Sequence, residues 1–121
     1  MIPQFIIYFL CTGIIVRILT PPLHFRNRTV TGYLRHKTQK EIHHFHFGIL
    51  IFFIAIGLLL FKGEPNNLII LSGAVGLSLM ADEIFIRKDY SEYFKKYSLW
   101  YSVIAHIIIG ISAIAILLIA F

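Results

Sequence analysis

Three histidines and two adjacent carboxylates are the side chains of this 121-residue chain that could do chemistry together. His43, His44 and His46 lie within four positions, and Asp82 and Glu83 are neighbours. Imidazole nitrogens and carboxylate oxygens are ligands that Zn²⁺ or Fe²⁺ takes, and Mn²⁺ is a further option. A site with an open coordination position also activates water. The residue types therefore predict a divalent-metal site, with Zn²⁺ or Fe²⁺ favoured.

Helical geometry selects among these ligands. At about 100° per residue, His43 and His46 lie about 60° apart on one helix face, whereas His44 is turned away from them. The predicted metal ligands are His43, His46, Asp82, Glu83 and His106. Asp82 and Glu83 are also the predicted catalytic groups.

The composition indicates the elements that must position these groups. The chain is 58% hydrophobic and 14% charged, against about 25% charged residues in soluble domains. Four apolar stretches, residues 4–20, 45–61, 68–86 and 99–121, fall in the length range of a membrane-spanning helix. The predicted helical spans are about 4–20, 38–61, 68–86 and 98–121. Backbone groups in a bilayer must pair within their own segment, which favours helices. The predicted fold is a single all-α integral membrane domain, residues 1–121, with four transmembrane helices.

The basic residues predict the orientation in the membrane. Five follow the first stretch, four follow the third, and Lys62 alone lies on the opposite side. Because Lys and Arg concentrate in cytoplasmic connections, we expect both termini outside the cell membrane and both basic connections in the cytoplasm. There the charge faces anionic lipid headgroups, so the net charge of +5 does not indicate nucleic-acid binding.

Local motifs predict where the elements begin and end. Residues 38–41 have the form of a capping box and predict the start of the second helix. Gly, Pro and Asn in residues 62–67 predict a tight turn that makes helices 2 and 3 an antiparallel hairpin. Residues 21–37 are expected to be an interfacial loop. Aromatic residues at helical spacing in 90–97 predict a short interfacial helix before the fourth span.

The hairpin brings the histidines and the carboxylates to the same membrane depth. Small residues on both faces of the third stretch indicate that Asp82 and Glu83 look into the bundle. Arg17, at a similar depth in the first stretch, is expected to pair with one of them. Four arginines are predicted to hold the phosphate of a lipid headgroup: Arg17, Arg26, Arg28 and Arg35.

The segment His43–His46 resembles a histidine box of the membrane-bound desaturases and hydroxylases. The resemblance covers four residues. The chain has six histidines in all and lacks the repeated boxes of those enzymes, so it is not assigned to the family. It also lacks the cysteine pair of quinone-linked thiol oxidoreductases and the glycine-rich aspartate motif of lipid-headgroup transferases.

Three functions are compatible with these features. The first is a metal-dependent membrane enzyme that hydrolyses a lipid or another amphiphile at the inner leaflet. The second is ion or proton transport, with Asp82, Glu83 and His106 as a relay and an oligomer supplying the pathway. The third is a non-catalytic assembly or lipid-binding protein, in which Arg17 and Asp82 form an architectural pair. Membrane lipids and further copies of the chain are the expected partners.

Overall fold

The computed structural model describes residues 1–24, 43–84 and 96–120, and these ranges contain helices and no strand. There are four helices in them: α1 (Ile2–His24), α2 (His44–Lys62), α3 (Asn67–Glu83) and α4 (Lys96–Ala120). The all-helical part of the fold prediction is confirmed for this portion of the chain.

Three of the helices are long and apolar enough to cross a membrane. Their apolar segments are Ile2–Thr20, His44–Lys62 and Tyr97–Ala120, with mean hydropathies of 1.9, 2.3 and 2.8. Many of their large apolar side chains are exposed; Phe61 and Ile119 are 89% and 87% exposed. A surface of this kind suits lipid rather than water. The third predicted span, α3, has 17 residues and ends with both carboxylates.

The ends of α1 differ from the expected boundaries. Pro3 lies in the first turn, where a backbone N–H has no helical acceptor, and the Phe5 N–H donates to the Met1 carbonyl at 3.0 Å. The helix also continues through Pro21 and Pro22 to His24, where a loop was predicted. A proline removes one N–H donor, but its fixed φ is compatible with helix, so a last turn can include it.

A short turn joins α2 and α3 at residues 63–66, within the segment where the sequence predicts one. Gly63 adopts the left-handed conformation, φ 74°, and its N–H donates to the Leu59 carbonyl at 2.8 Å. This closes the carboxyl end of α2, a position for which glycine is suited. Asn66 then caps α3, because its side-chain oxygen accepts a hydrogen bond from the Ile69 N–H at 3.0 Å.

The beginning of α2 differs from the prediction. The helix starts at His44, since His43 has an extended backbone with φ −112° and ψ 160°. A helix therefore does not run unbroken from Thr38 into α2. The predicted capping box and most of the interfacial helix lie outside the described residues. Within α4, Tyr97 and Tyr101 stack edge to face, with ring centroids 5.7 Å apart, in the predicted aromatic belt.

Helix α3 is the centre of the bundle, and it packs against each of the other three helices. Its contact with α2 is backbone to backbone. A Cβ built on Gly48 would lie 2.7 Å from the Gly76 carbonyl oxygen, and one built on Gly76 would lie 2.7 Å from the Phe52 nitrogen. Only glycine permits this approach, so the small residues mark a helix contact as predicted.

Candidate functional site

Glu83, the last residue of α3, closes the first turn of α2. One carboxylate oxygen, Oε2, accepts a hydrogen bond from the Phe45 backbone N–H at 3.0 Å. The other, Oε1, lies 3.3 Å from His44 Nδ1 and 3.9 Å from His43 Nδ1. The amino end of a helix carries partial positive charge and unpaired N–H groups, so an anion is stabilised there. The predicted meeting of the second helix's histidines with a carboxylate of the third is therefore observed for Glu83.

The histidines that face Glu83 are not the pair that the helical wheel selected. Because His43 lies outside the helix, its side chain does not follow the helical rotation, and it lies on the same side as His44. His46 is exposed, and its Nδ1 accepts a hydrogen bond from the His43 N–H at 3.2 Å. His46 thus fixes the backbone at the start of α2 and does not contact the carboxylate.

Asp82 faces the opposite side of α3, toward α1 and α4. Its Oδ1 accepts a hydrogen bond from the Ser102 hydroxyl at 2.7 Å and lies 3.6 Å from Arg17 Nη1. The Asp82 side chain is completely buried, and that of Arg17 is 15% exposed. Arg17 Nη2 also donates to Ser98 Oγ at 2.7 Å. The predicted pairing of Arg17 with one carboxylate is confirmed, and the buried charge of Asp82 is offset by a cation and a hydroxyl.

His106 extends this polar group deeper into the bundle. Its Nδ1 lies 2.8 Å from the Ser102 carbonyl oxygen, which can only accept, so Nδ1 carries the proton. A ring whose Nδ1 carries the proton can accept at Nε2 from the Ser78 hydroxyl, 3.0 Å away. A hydroxyl bonded to an oriented imidazole is an arrangement that could activate a nucleophile. Ser78 is only 1% exposed, however, so its oxygen is closed to a substrate in this arrangement.

Gly13 of α1 makes room for His106. A Cβ at this position would lie 2.5 Å from His106 Nε2 and 3.2 Å from Ser78 Oγ. The Phe9 ring packs against the other side of the imidazole at a tilt of 56°, with centroids 5.1 Å apart. The ring is thereby held between α1, α3 and α4.

The predicted metal ligands therefore fall into separate groups. Glu83 lies with His43 and His44, whereas Asp82 lies with Arg17, and His106 contacts two serines. Over residues 1–24, 43–84 and 96–120, no group of three or more His, Cys, Asp or Glu side chains has the geometry of a metal site. The predicted headgroup ligands Arg26, Arg28 and Arg35 lie outside the described ranges.

A cavity of about 390 Å³ lies between α1 and α4, next to the Asp82 group. Arg17, Ser102 and His106 border it, but the surface that faces the cavity is almost wholly apolar. The remaining lining residues are Leu10, Gly13, Ile14, Ile18, Leu99, Val103 and Ile107. Several of these, such as Ile14 at 59% exposed, are also on the outer surface of the bundle. The cavity thus opens sideways, with apolar walls.

Sequence patterns do not identify Ser98 and Ser78 as polar partners in this site. Ser78 is one of the small residues of the third stretch, which indicate helix packing. A signal for both was present, because each lies at the depth of an ionisable side chain on another helix. Buried charged groups require hydrogen-bond donors and acceptors, and the hydroxyl of a nearby serine can serve as either.

Comparison of the chain with protein-family profiles, curated proteins and solved structures gave no match. The functional interpretation therefore depends on the geometry of the chain itself.

Proposed function

We propose that this chain is an integral membrane protein that binds an amphiphile from the surrounding bilayer in the α1–α4 cavity. The observation that carries the proposal is the lining of that cavity, in which nearly all the surface is apolar and comes from two helices. Predominantly apolar walls are typical of small-molecule sites. The tail of the amphiphile lies along Ile14 and Val103, and its head lies toward the end of the cavity nearest Arg17.

The lateral opening supports a ligand that arrives through the lipid phase. The walls at Ile14, Ile18 and Ile107 are exposed on the apolar outer surface, which suits a hydrocarbon tail.

The orientation of the chain is part of this proposal. We place both termini outside the cell membrane and both basic connections in the cytoplasm, on the strength of the charge asymmetry. Arg17 then lies near the inner leaflet, and the cavity takes its ligand from that leaflet.

A titration with a fluorescent single-chain amphiphile tests the proposal on the full-length protein in detergent micelles. Ile14→Trp fills the cavity wall without removing a polar contact, and we expect it to weaken binding about tenfold, the cost of roughly 1.4 kcal/mol. Ile15→Trp is the matched control, because Ile15 is the adjacent residue, is similarly exposed at 53%, and does not line the cavity. Equal binding by both variants would contradict the proposal.

A second function, divalent-metal binding with hydrolysis of the amphiphile, is favoured by one observation at the other carboxylate. The Nδ1 atoms of His43 and His44 both face Oε1 of Glu83, at 3.9 and 3.3 Å respectively. Ligand atoms around tetrahedral zinc lie about 3.3 Å apart, from bond lengths of about 2.0–2.1 Å. Small side-chain rotations would therefore be needed to admit Zn²⁺ or Fe²⁺, and an ion with an open position would activate water.

Elemental analysis of the purified protein tests this second function. We expect about one ion per chain, retained in Asp82→Asn and lost in Glu83→Gln, because only Glu83 faces the histidines. Metal-free wild-type protein, purified without chelator and after incubation with Zn²⁺ or Fe²⁺, would remove this function.

A further inference from the structure

We infer that Phe9 limits how deeply an alkyl tail enters the α1–α4 cavity, so that the site takes one hydrocarbon chain to a depth of about ten carbons. This inference rests on the proposed function and specifies the tail of its ligand. The features that carry it are the length of the apolar walls, the contact that closes their deep end, and a second cavity beyond that contact.

The walls of the cavity have the same length on both helices. They extend from Ile18 to Leu10 on α1 and from Leu99 to Ile107 on α4, which is eight residue steps in each case. At about 1.5 Å per step, each wall is about 12 Å long. An extended peptide advances about 3.5 Å over its three backbone bonds, so a hydrocarbon chain with the same zigzag advances about 1.2 Å per bond. About ten carbons therefore extend from the end nearest Arg17 to the deep end.

The Phe9 ring closes the deep end of the cavity. It is 3% exposed and packs against the His106 imidazole, with centroids 5.1 Å apart. On α4 it meets Gly110, where an added Cβ would lie 3.2 Å from Phe9 Cε1, so α1 and α4 are in contact at this point. Phe5 stacks behind it, with ring centroids 5.7 Å apart and planes at 15°. A tail that reaches this depth meets two packed rings and must turn sideways into lipid.

A second apolar cavity, of about 280 Å³, lies beyond these rings. Phe5 is one of its lining residues, and Ala113 and Leu117 of α4 are others. Both α4 positions follow Gly110, so this cavity lies farther along the bundle from the head end of the ligand than the first one. The stacked pair of Phe5 and Phe9 therefore separates the two cavities. Removal of the Phe9 ring would let a tail continue past Gly110.

The volume of the α1–α4 cavity limits the number of tails. A protein cavity of about 150 Å³ accommodates benzene, which has six carbon atoms. At the same ratio, the 390 Å³ here accommodates on the order of fifteen carbon atoms. That is enough for one chain of the depth given by the walls and too little for two. Because the surface facing the cavity is almost wholly apolar, the tail rather than the head determines the fit.

Competition by straight-chain alcohols against a fluorescent single-chain amphiphile tests the inference on the full-length protein in detergent micelles. The head stays constant and uncharged while the tail length varies, and concentrations are expressed as mole fractions in the micelle, so that partition into detergent does not contribute. We expect affinity to rise about tenfold between six and ten carbons and less than about twofold between ten and sixteen, because only carbons inside the cavity gain contacts. A rise that continues to sixteen carbons, or no dependence on tail length, overturns the inference.

Phe9→Ala removes the ring that closes the cavity. The 5.7 Å between the two ring centroids corresponds to about four more carbons, so we expect the rise in affinity to extend to about fourteen. Phe53→Ala is the matched control, since Phe53 is 64% exposed and lines neither cavity. It should retain the wild-type dependence on tail length. The same dependence in Phe9→Ala as in the wild type overturns the inference.

Two further measurements keep the outcomes distinct. If Phe9→Ala does not fold, a ten-carbon alcohol with a photoreactive group on its terminal carbon is bound to the wild-type protein. We expect it to label Phe9, Gly110 or their neighbours, and labelling confined to other positions overturns the inference. Binding that Ile14→Trp weakens and Ile15→Trp does not, without the change in Phe9→Ala, overturns the role of Phe9 alone. Absence of binding by every alcohol overturns the proposed function as well.

Discussion

Two consecutive carboxylates in α3 hold the bundle together in different ways. Glu83 binds the backbone at the start of α2, the helix next to α3 in the chain. Asp82 contacts side chains from α1 and α4, which are distant in the chain. A step of one residue turns the side chain by about 100°, so adjacent charges reach different neighbours. Glu83 therefore links α3 to α2 through a backbone N–H of α2, whereas Asp82 links α3 to α1 and α4 through charged and polar side chains.

The largest expected effect is on the Asp82 side of α3. Arg17→Ala leaves a buried carboxylate with Ser102 but without its cation, and we expect the free energy of unfolding to fall by about 3 kcal/mol. The measurement is reversible unfolding in mixed micelles. Replacing both partners together, Arg17→Leu with Asp82→Leu, should recover most of the loss, because a buried ion pair can be replaced by apolar residues at little cost. A double variant no more stable than Arg17→Ala would show that the pair is not the cause.

The contact between α2 and α3 is expected to be sensitive to added side-chain volume. Gly48→Ala places a methyl group within 2.7 Å of the Gly76 carbonyl oxygen, and we expect a loss of about 2 kcal/mol from overpacking. Gly57→Ala in the same helix is the control. Nothing lies within 4 Å of its added Cβ, so it should be neutral or stabilising. The same unfolding experiment compares the two variants, and equal stability would contradict a backbone-to-backbone contact between α2 and α3.

The smallest expected effect is local to the start of α2. Glu83→Gln keeps an oxygen acceptor for the Phe45 N–H and removes the charge, so we expect a loss of about 1 kcal/mol. Amide hydrogen exchange at Phe45 should become faster in this variant. The same amide should be unaffected by Asp82→Asn, because Asp82 contacts Arg17 of α1 and Ser102 of α4, whereas the Phe45 N–H donates to Glu83. Equal acceleration by both variants would mean that the two carboxylates act as one unit.

Much of the hairpin could be predicted from local signals. The glycine at position 63 and the asparagine at position 66 terminate and begin helices through their own backbone and side chain, which sequence rules describe directly. The short turn then determines which ends of α2 and α3 meet. That is why the contact of Glu83 with histidines of α2 could be anticipated.

The identity of those histidines could not be predicted by the same rules. The helical wheel requires every residue to be helical, and His43 is extended. The direction of one backbone residue therefore changes which imidazole faces the carboxylate. On the Asp82 side, the partners Ser98 and Ser102 belong to a helix joined to α3 only by a long connection. No local spacing rule determines how such a helix is rotated about its axis.

The close contact between Gly48 and Gly76 fixes how α3 is rotated about its own axis relative to α2. Asp82 lies six positions after Gly76, and Glu83 lies seven positions after it. Inserting or deleting a single residue in that interval would turn the helix end by about 100° relative to the glycine contact. Asp82 and Glu83 would then face different helices, even though the composition and hydropathy of α3 were nearly unchanged. Length in this interval is therefore under tighter physical constraint than the identity of the apolar side chains on the outer surface of the bundle.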